Sequence, residues 1–141
     1  MTDFYVKVGD SASFTKTVSE SDVYQFAGLT GDYNPMHTDA EYAATSLAEK
    51  RVAHGMLIMS YAVGQTYQLG FLERTVLTFR AVEMKFSLPV FIGDTIHVEL
   101  TVKEKKEARR LGGGTIIAGV KIVNQDGKVV QRGEWVILIA F

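Results

Sequence analysis

Asp32 and His37 stand five positions apart in the segment Gly31-Asp32-Tyr33-Asn34-Pro35-Met36-His37. A carboxylate and an imidazole both exchange protons near neutral pH, so a converging pair could take a proton from a water and hand it back. Asn34-Pro35 initiates a turn, and the proline pushes Asn34 out of the α region, so the stretch is not expected to be regular helix. Asn34 and Pro35 therefore shape a bend that folds the two side chains toward one point. A plainer reading stands beside this one. An aspartate before a turn commonly bonds its own backbone, and a lone histidine is more often structural than catalytic.

The flanking elements must hold that bend. Ser11 to Val18 has strand-like spacing, and Ser19-Glu20-Ser21-Asp22 is a capping box for a helix over about 21–29. Gly28 and Gly31 loosen its end. A second box, Thr38-Asp39-Ala40-Glu41, opens another short helix through about Ser46. Glu49-Lys50-Arg51 reads as a solvated turn. After His54-Gly55, residues 56–63 are apolar on nearly every side, as expected of an enclosed helix. Ser60, Gln65, Thr66 and Gln68 make the stretch from Gly55 to Leu72 a poor membrane span.

Past Arg74 the period changes to two. Ile96, Val98, Leu100 and Val102 share one face, and His97, Glu99, Thr101 and Lys103 the other, so His97 is expected at the surface. Residues 77–88, 115–124 and 129–139 also read as strands, with a turn at Gln125-Asp126-Gly127-Lys128. Gly112-Gly113-Gly114 reads as a flexible connection; it lacks the lysine and spacing of a phosphate loop. The order predicts an α+β fold, four long strands linked as hairpins with one helix packed on the sheet.

Composition narrows the function classes. The chain has 141 residues, 47% hydrophobic and 22% charged, which suits one globular domain. A formal net charge of -1 gives no field for nucleic acid. The lack of cysteine excludes thiolate metal sites and cysteine nucleophiles and fits a reducing, cytoplasmic setting. The first five residues show no secretory signal pattern.

Three stretches together resemble a known family. Phe26-Ala27 with Gly31 through His37, then Ala53-His54-Gly55-Met56-Leu57, are similar to the MaoC-like (R)-specific enoyl-CoA hydratases of the hot-dog fold. Phe86-Ser87-Leu88-Pro89-Val90-Phe91-Ile92-Gly93-Asp94 matches that family's F-x-x-P-V-x-x-G-D pattern. The resemblance runs from about Val8 to Ile139. It implies one domain over residues 1–141, a curved antiparallel sheet wrapped around a central apolar helix.

The resemblance further implies that Asp32 and His37 form the catalytic pair and that the Gly55 N–H polarises a thioester carbonyl. A glycine opening a buried helix offers a free N–H, a positive dipole end and no Cβ in the way. The implied reaction is reversible hydration of short to medium trans-2-enoyl-CoA to the (R)-3-hydroxyacyl-CoA. Coenzyme A thioester is then the substrate, with no further cofactor, no metal, no membrane and a homodimer as the partner state. One position departs: relatives often carry serine eight residues after that glycine, where this chain has Val63. Val63 and Met56 are expected to border the acyl pocket. Two rivals remain, a hot-dog acyl-CoA thioesterase and a non-catalytic acyl-CoA-binding subunit. Thioesterases usually place a carboxylate on or beside the central helix, and residues 55–69 contain none; mere binding needs neither Asp32 nor His37.

Overall fold

A computed structural model describes residues 7–68, 76–108, 110 and 112–140. The elements run β1 (Ser11–Thr17), α1 (Glu20–Thr30), α2 (Pro35–Thr38), α3 (Ala40–Ala44), α4 (Gly55–Gln68), β2 (Val76–Phe86), β3 (Thr95–Ala108), β4 (Gly113–Val123) and β5 (Val129–Ala140). The strands form one sheet in the order β1-β3-β4-β5-β2, every neighbouring pair antiparallel.

Alternation decides which face closes. Ile96, Val98, Leu100 and Val102 of β3 are buried with Ile116, Ala118, Val120 and Ile122 of β4 and Trp135, Ile137 and Ile139 of β5. Leu57, Ile58 and Ala62 of α4 join the same cluster. An antiparallel sheet laying its apolar row on one long helix is the hot-dog arrangement. Trp135 is fully buried, with Phe79 of β2 edge-on at 5.4 Å.

Several expectations need correction. The four long strands are not all hairpin-linked, because β2 pairs with β5 and stands apart from β3. Pro89 has no N–H to extend a ladder, and the 87–94 link crosses over instead. Along it Ala53 N–H bonds the Val90 carbonyl, Val52 bridges Phe91, and the Asp94 carboxylate accepts from Phe91 N–H. Gly113 and Gly114 are not a loose connection; they pair with Ala108 and Glu107 on one side and Ala140 and Ile139 on the other. Losing the Cβ removes packing but leaves both backbone groups for the ladder.

The helices differ in detail too. Residues 35–38 do form one helical turn, since proline at the first helical position gives up an N–H that has no partner there anyway. The cap of α3 is Asp39 and not Thr38; the Thr38 hydroxyl donates to the Tyr33 and Asn34 carbonyls instead. Helix α1 ends cleanly, with Gly31 at φ 81° donating its N–H to the Ala27 carbonyl. Arg51 is no free turn residue: its guanidinium bonds Glu20 at 2.5 Å and the Tyr24 hydroxyl at 3.1 Å. Finally, α4 is enclosed on one side only. Met56 is 51% exposed and Ser60 is exposed, so the apolar surround combines a core face with a cleft face. Among the described residues no helix is long and apolar enough to cross a membrane; residues 69–72 of the stretch weighed as a span lie outside them.

Candidate active site

Asp32 follows α1 and is clamped through its main chain. Its N–H donates to Thr30 Oγ1 at 3.2 Å, and its carbonyl accepts from His54 Nε2 at 2.9 Å. Carboxylate oxygen Oδ1 accepts the Asn34 N–H at 3.3 Å, the local bond expected of an aspartate before a turn. Oδ2 stays free of that bond and lies 4.0 Å from His37 Nε2.

His37 rides on α2, whose first turn is capped by Asn34 Oδ1 accepting the Met36 N–H at 3.1 Å. The ring is buried, and Nδ1 lies 2.6 Å from the Val52 carbonyl. A carbonyl only accepts, so Nδ1 carries a proton, and in the neutral form of the ring the Nε2 lone pair faces Asp32. Val52 N–H returns a bond to the Met36 carbonyl at 3.0 Å, so this segment grips α2 twice.

Gly55 begins α4 beside His37. Its N–H has no acceptor among the described residues, and Met56 N–H has none either. The Gly55 carbonyl accepts from the buried Gln131 amide at 2.9 Å. A Cβ at residue 55 would stand 2.9 Å from the Phe86 ring, so glycine is what lets that ring close over the helix start.

Two clefts meet here, each about 380 Å³. One is mostly apolar, with Met36, Val52, Ile58, Phe86, Leu88 and Val90 in its wall. The other is lined by Phe26, Thr30, Asp32, His54, Met56 and Ser60. His37 and Gly55 border both. The structure thus brings Asp32, His37, Gly55 and Met56 together, with Asn34 and Pro35 beneath them. Val63 lines neither cleft and packs against the core, whereas Ser60 does reach the cleft that holds Asp32, its hydroxyl donating to the Met56 carbonyl at 2.7 Å. His97 sits apart on the polar row, its Nδ1 2.9 Å from Thr15 Oγ1.

Asp32, His37 and His54 are the one group among the described residues whose side chains could converge on a metal, their ligand atoms lying within 4.8 Å of one another. His37 Nδ1 and His54 Nε2 already face carbonyls, which leaves one nitrogen on each ring. Sequence reasoning passed over Gln131. A polar residue in the same alternate row as Trp135, Ile137 and Ile139 was the available signal.

A profile of the MaoC-like domain family matches residues 6–123. The chain belongs to that family. It is 36% identical to an (R)-specific enoyl-CoA hydratase from Rhodospirillum rubrum, over 95% of this chain and 88% of that protein. The solved (R)-hydratase from Aeromonas caviae involved in PHA biosynthesis superposes with a TM-score of 0.84 at 30% identity, covering 94% of this chain and 96% of that one. The unliganded R-hydratase PhaJ1 from Pseudomonas aeruginosa gives 0.81 at 33% identity, over 96% and 83% of the two chains. In this MaoC-like domain the F-x-x-P-V-x-x-G-D stretch is the crossover that walls the apolar cleft.

Proposed function

We propose that this MaoC-like domain adds water across the double bond of trans-2-enoyl-CoA, giving (R)-3-hydroxyacyl-CoA, and runs the reverse dehydration. One observation carries the reading: a carboxylate oxygen and an imidazole nitrogen stand 4.0 Å apart beside an N–H that has no acceptor among the described residues. Both groups accept hydrogen bonds, so a single water can donate one O–H to each. That fixes its oxygen lone pair toward the place where the thioester's C3 arrives.

The Gly55 N–H takes the thioester carbonyl, where charge builds as C3 is attacked. Asp32 removes the water proton as the new C3–O bond forms. His37 orients the water through Nε2, and the proton that Asp32 took is passed on to C2, with Nε2 as a relay for it, so a hydroxyl and a hydrogen are added with no net proton exchanged. Delivery from one side gives syn addition. The thioester sits where the clefts join; the apolar one suits a short to medium acyl chain, and the pantetheine arm runs into the other. No cofactor beyond the CoA thioester is required. We also propose a homodimer, supported by the open edges at β1 and β2, and a cytoplasmic setting, which rests on the cysteine-free composition.

A series of trans-2-enoyl-CoA chain lengths tests the reading, with double-bond absorbance, a thiol reagent and chiral product analysis run together. Loss of absorbance without free CoA, and an (R) product, is expected. Release of CoA without hydration would mean a thioesterase.

A further inference from the structure

Three parts of the site converge on one side chain. His54 is buried and sits immediately before Gly55. Its Nε2 lies 2.9 Å from the Asp32 carbonyl, and a carbonyl cannot donate, so Nε2 carries the ring proton. Its ring stacks on His37 with centroids 3.8 Å apart and planes 25° from parallel. The edge contact with Phe26 at 4.9 Å closes another side. Its own carbonyl accepts the Leu57 and Ile58 N–H groups, at 3.1 and 3.4 Å, which fixes the peptide plane that aims the Gly55 N–H.

The remaining nitrogen is the informative one. His54 Nδ1 is buried and has no hydrogen-bond partner among the described residues. Buried polar atoms are nearly always satisfied, so a bare one calls for a reason. A proton there would place a charge without an acceptor and face to face with the His37 ring, whose Nε2 must stay a hydrogen-bond acceptor for the water. Left bare, it keeps the imidazole neutral and its single N–H committed to Asp32.

We propose that His54 is the positioning residue of this site: a neutral Nε2–H imidazole whose bond to the Asp32 main chain, and whose stack on His37, set the carboxylate–imidazole gap at the span of one water. The inference rests on the hydratase reading and deepens it. His54 borders the cleft assigned to the pantetheine arm but reaches neither the attacking water nor the reacting carbons in this scheme; it acts through Asp32, His37 and Gly55. A histidine serving only as core filling would make its ring shape, and not its N–H, the part that matters.

The test has two arms on the full chain. Nitrogen NMR of the unmodified protein, which needs no substrate, is expected to show His54 as the Nε2–H tautomer and His37 as the Nδ1–H tautomer. His54 found as the Nδ1–H form overturns the proposal. The second arm compares His54→Gln, which keeps an N–H at similar reach, with His54→Phe, which keeps a ring and no donor. Gln is expected to hold kcat within about fivefold. Phe is expected to lose roughly 10- to 100-fold in kcat with KM within about twofold, because orientation and not binding is lost. A Phe variant as active as the wild type, or Gln and Phe equally impaired, overturns it. Failure of the hydratase reading looks different: an unmodified protein that does not turn over enoyl-CoA at all, with the ring tautomers still decided by the first arm.

Discussion

Asp32 and His37 are joined less by their spacing than by two carbonyls. Val52 fixes the tautomer of one, and the Asp32 carbonyl, taken by His54, fixes the backbone of the other. Asp32→Asn keeps the shape and removes the base, so hydration is expected to fall by about 10²- to 10⁴-fold. Binding of a saturated acyl-CoA, measured by calorimetry, should hold. Unchanged turnover would return Asp32 to the role of a turn residue. Gly55 makes a separate prediction. In Gly55→Ala the new methyl meets the Phe86 ring, which must swing into the apolar cleft, and kcat/KM should drop about tenfold, or about 1.4 kcal/mol. Adding Phe86→Leu should recover much of that loss, read as a non-additive double-mutant cycle.

What the sequence made legible at this scale was residue type. A carboxylate, an imidazole and a helix-opening glycine announce themselves by chemistry. Thr30, Val52 and Gln131 do not, because Thr30 and Gln131 act on main-chain atoms and Val52 offers a main-chain carbonyl of its own.

Among the elements, α2 carries the most consequence for its length. Four residues hold His37, and one side chain, Asn34, caps them. Asn34→Ala should cost about 1 kcal/mol in denaturant unfolding and lower kcat as the imidazole loses its footing. A stability loss with kcat intact would separate the turn from the chemistry. The capping box at Ser19 was readable and lies where expected, its hydroxyl accepting from Asp22 N–H and the Asp22 carboxylate from Ser19 N–H. The second box was misplaced by one residue. Thr38 and Asp39 both suit a cap by type, and only the neighbouring Tyr33 and Asn34 carbonyls decide which hydroxyl or carboxylate is free for it. Strand existence followed from the period of two, but pairing did not. The β2–β5 neighbourhood depends on a crossover, and periodicity says nothing about which strand lies alongside which.

Across the whole molecule, Asp22 ties β1, α1 and the helix cap together. Partial burial pushes its carboxyl up, but hydrogen bonds from the Ser19 backbone, the Tyr61 and Ser19 hydroxyls and Lys16 outweigh this and hold it below the ordinary carboxylate range. Lys16 Nζ stands 3.2 Å away. A carboxyl depressed in the folded state gives stability above its unfolded value of about 3.8, and that stability fades as pH falls through the folded value. Asp22→Ala is therefore expected to lower the melting temperature at neutral pH and to blunt the acid-side decline; an unchanged acid limb would remove Asp22 from it.

The chain carries one tryptophan, and Trp135 lies fully buried on β5 with Phe79 of β2 against its edge. Its fluorescence is thus a single-site lamp on the zipper between those strands, blue while it stays shut and red once water enters. Because β2 runs on into the Phe86 that walls the cleft, light from one indole can tell whether a variant has lost its architecture or merely its catalytic speed.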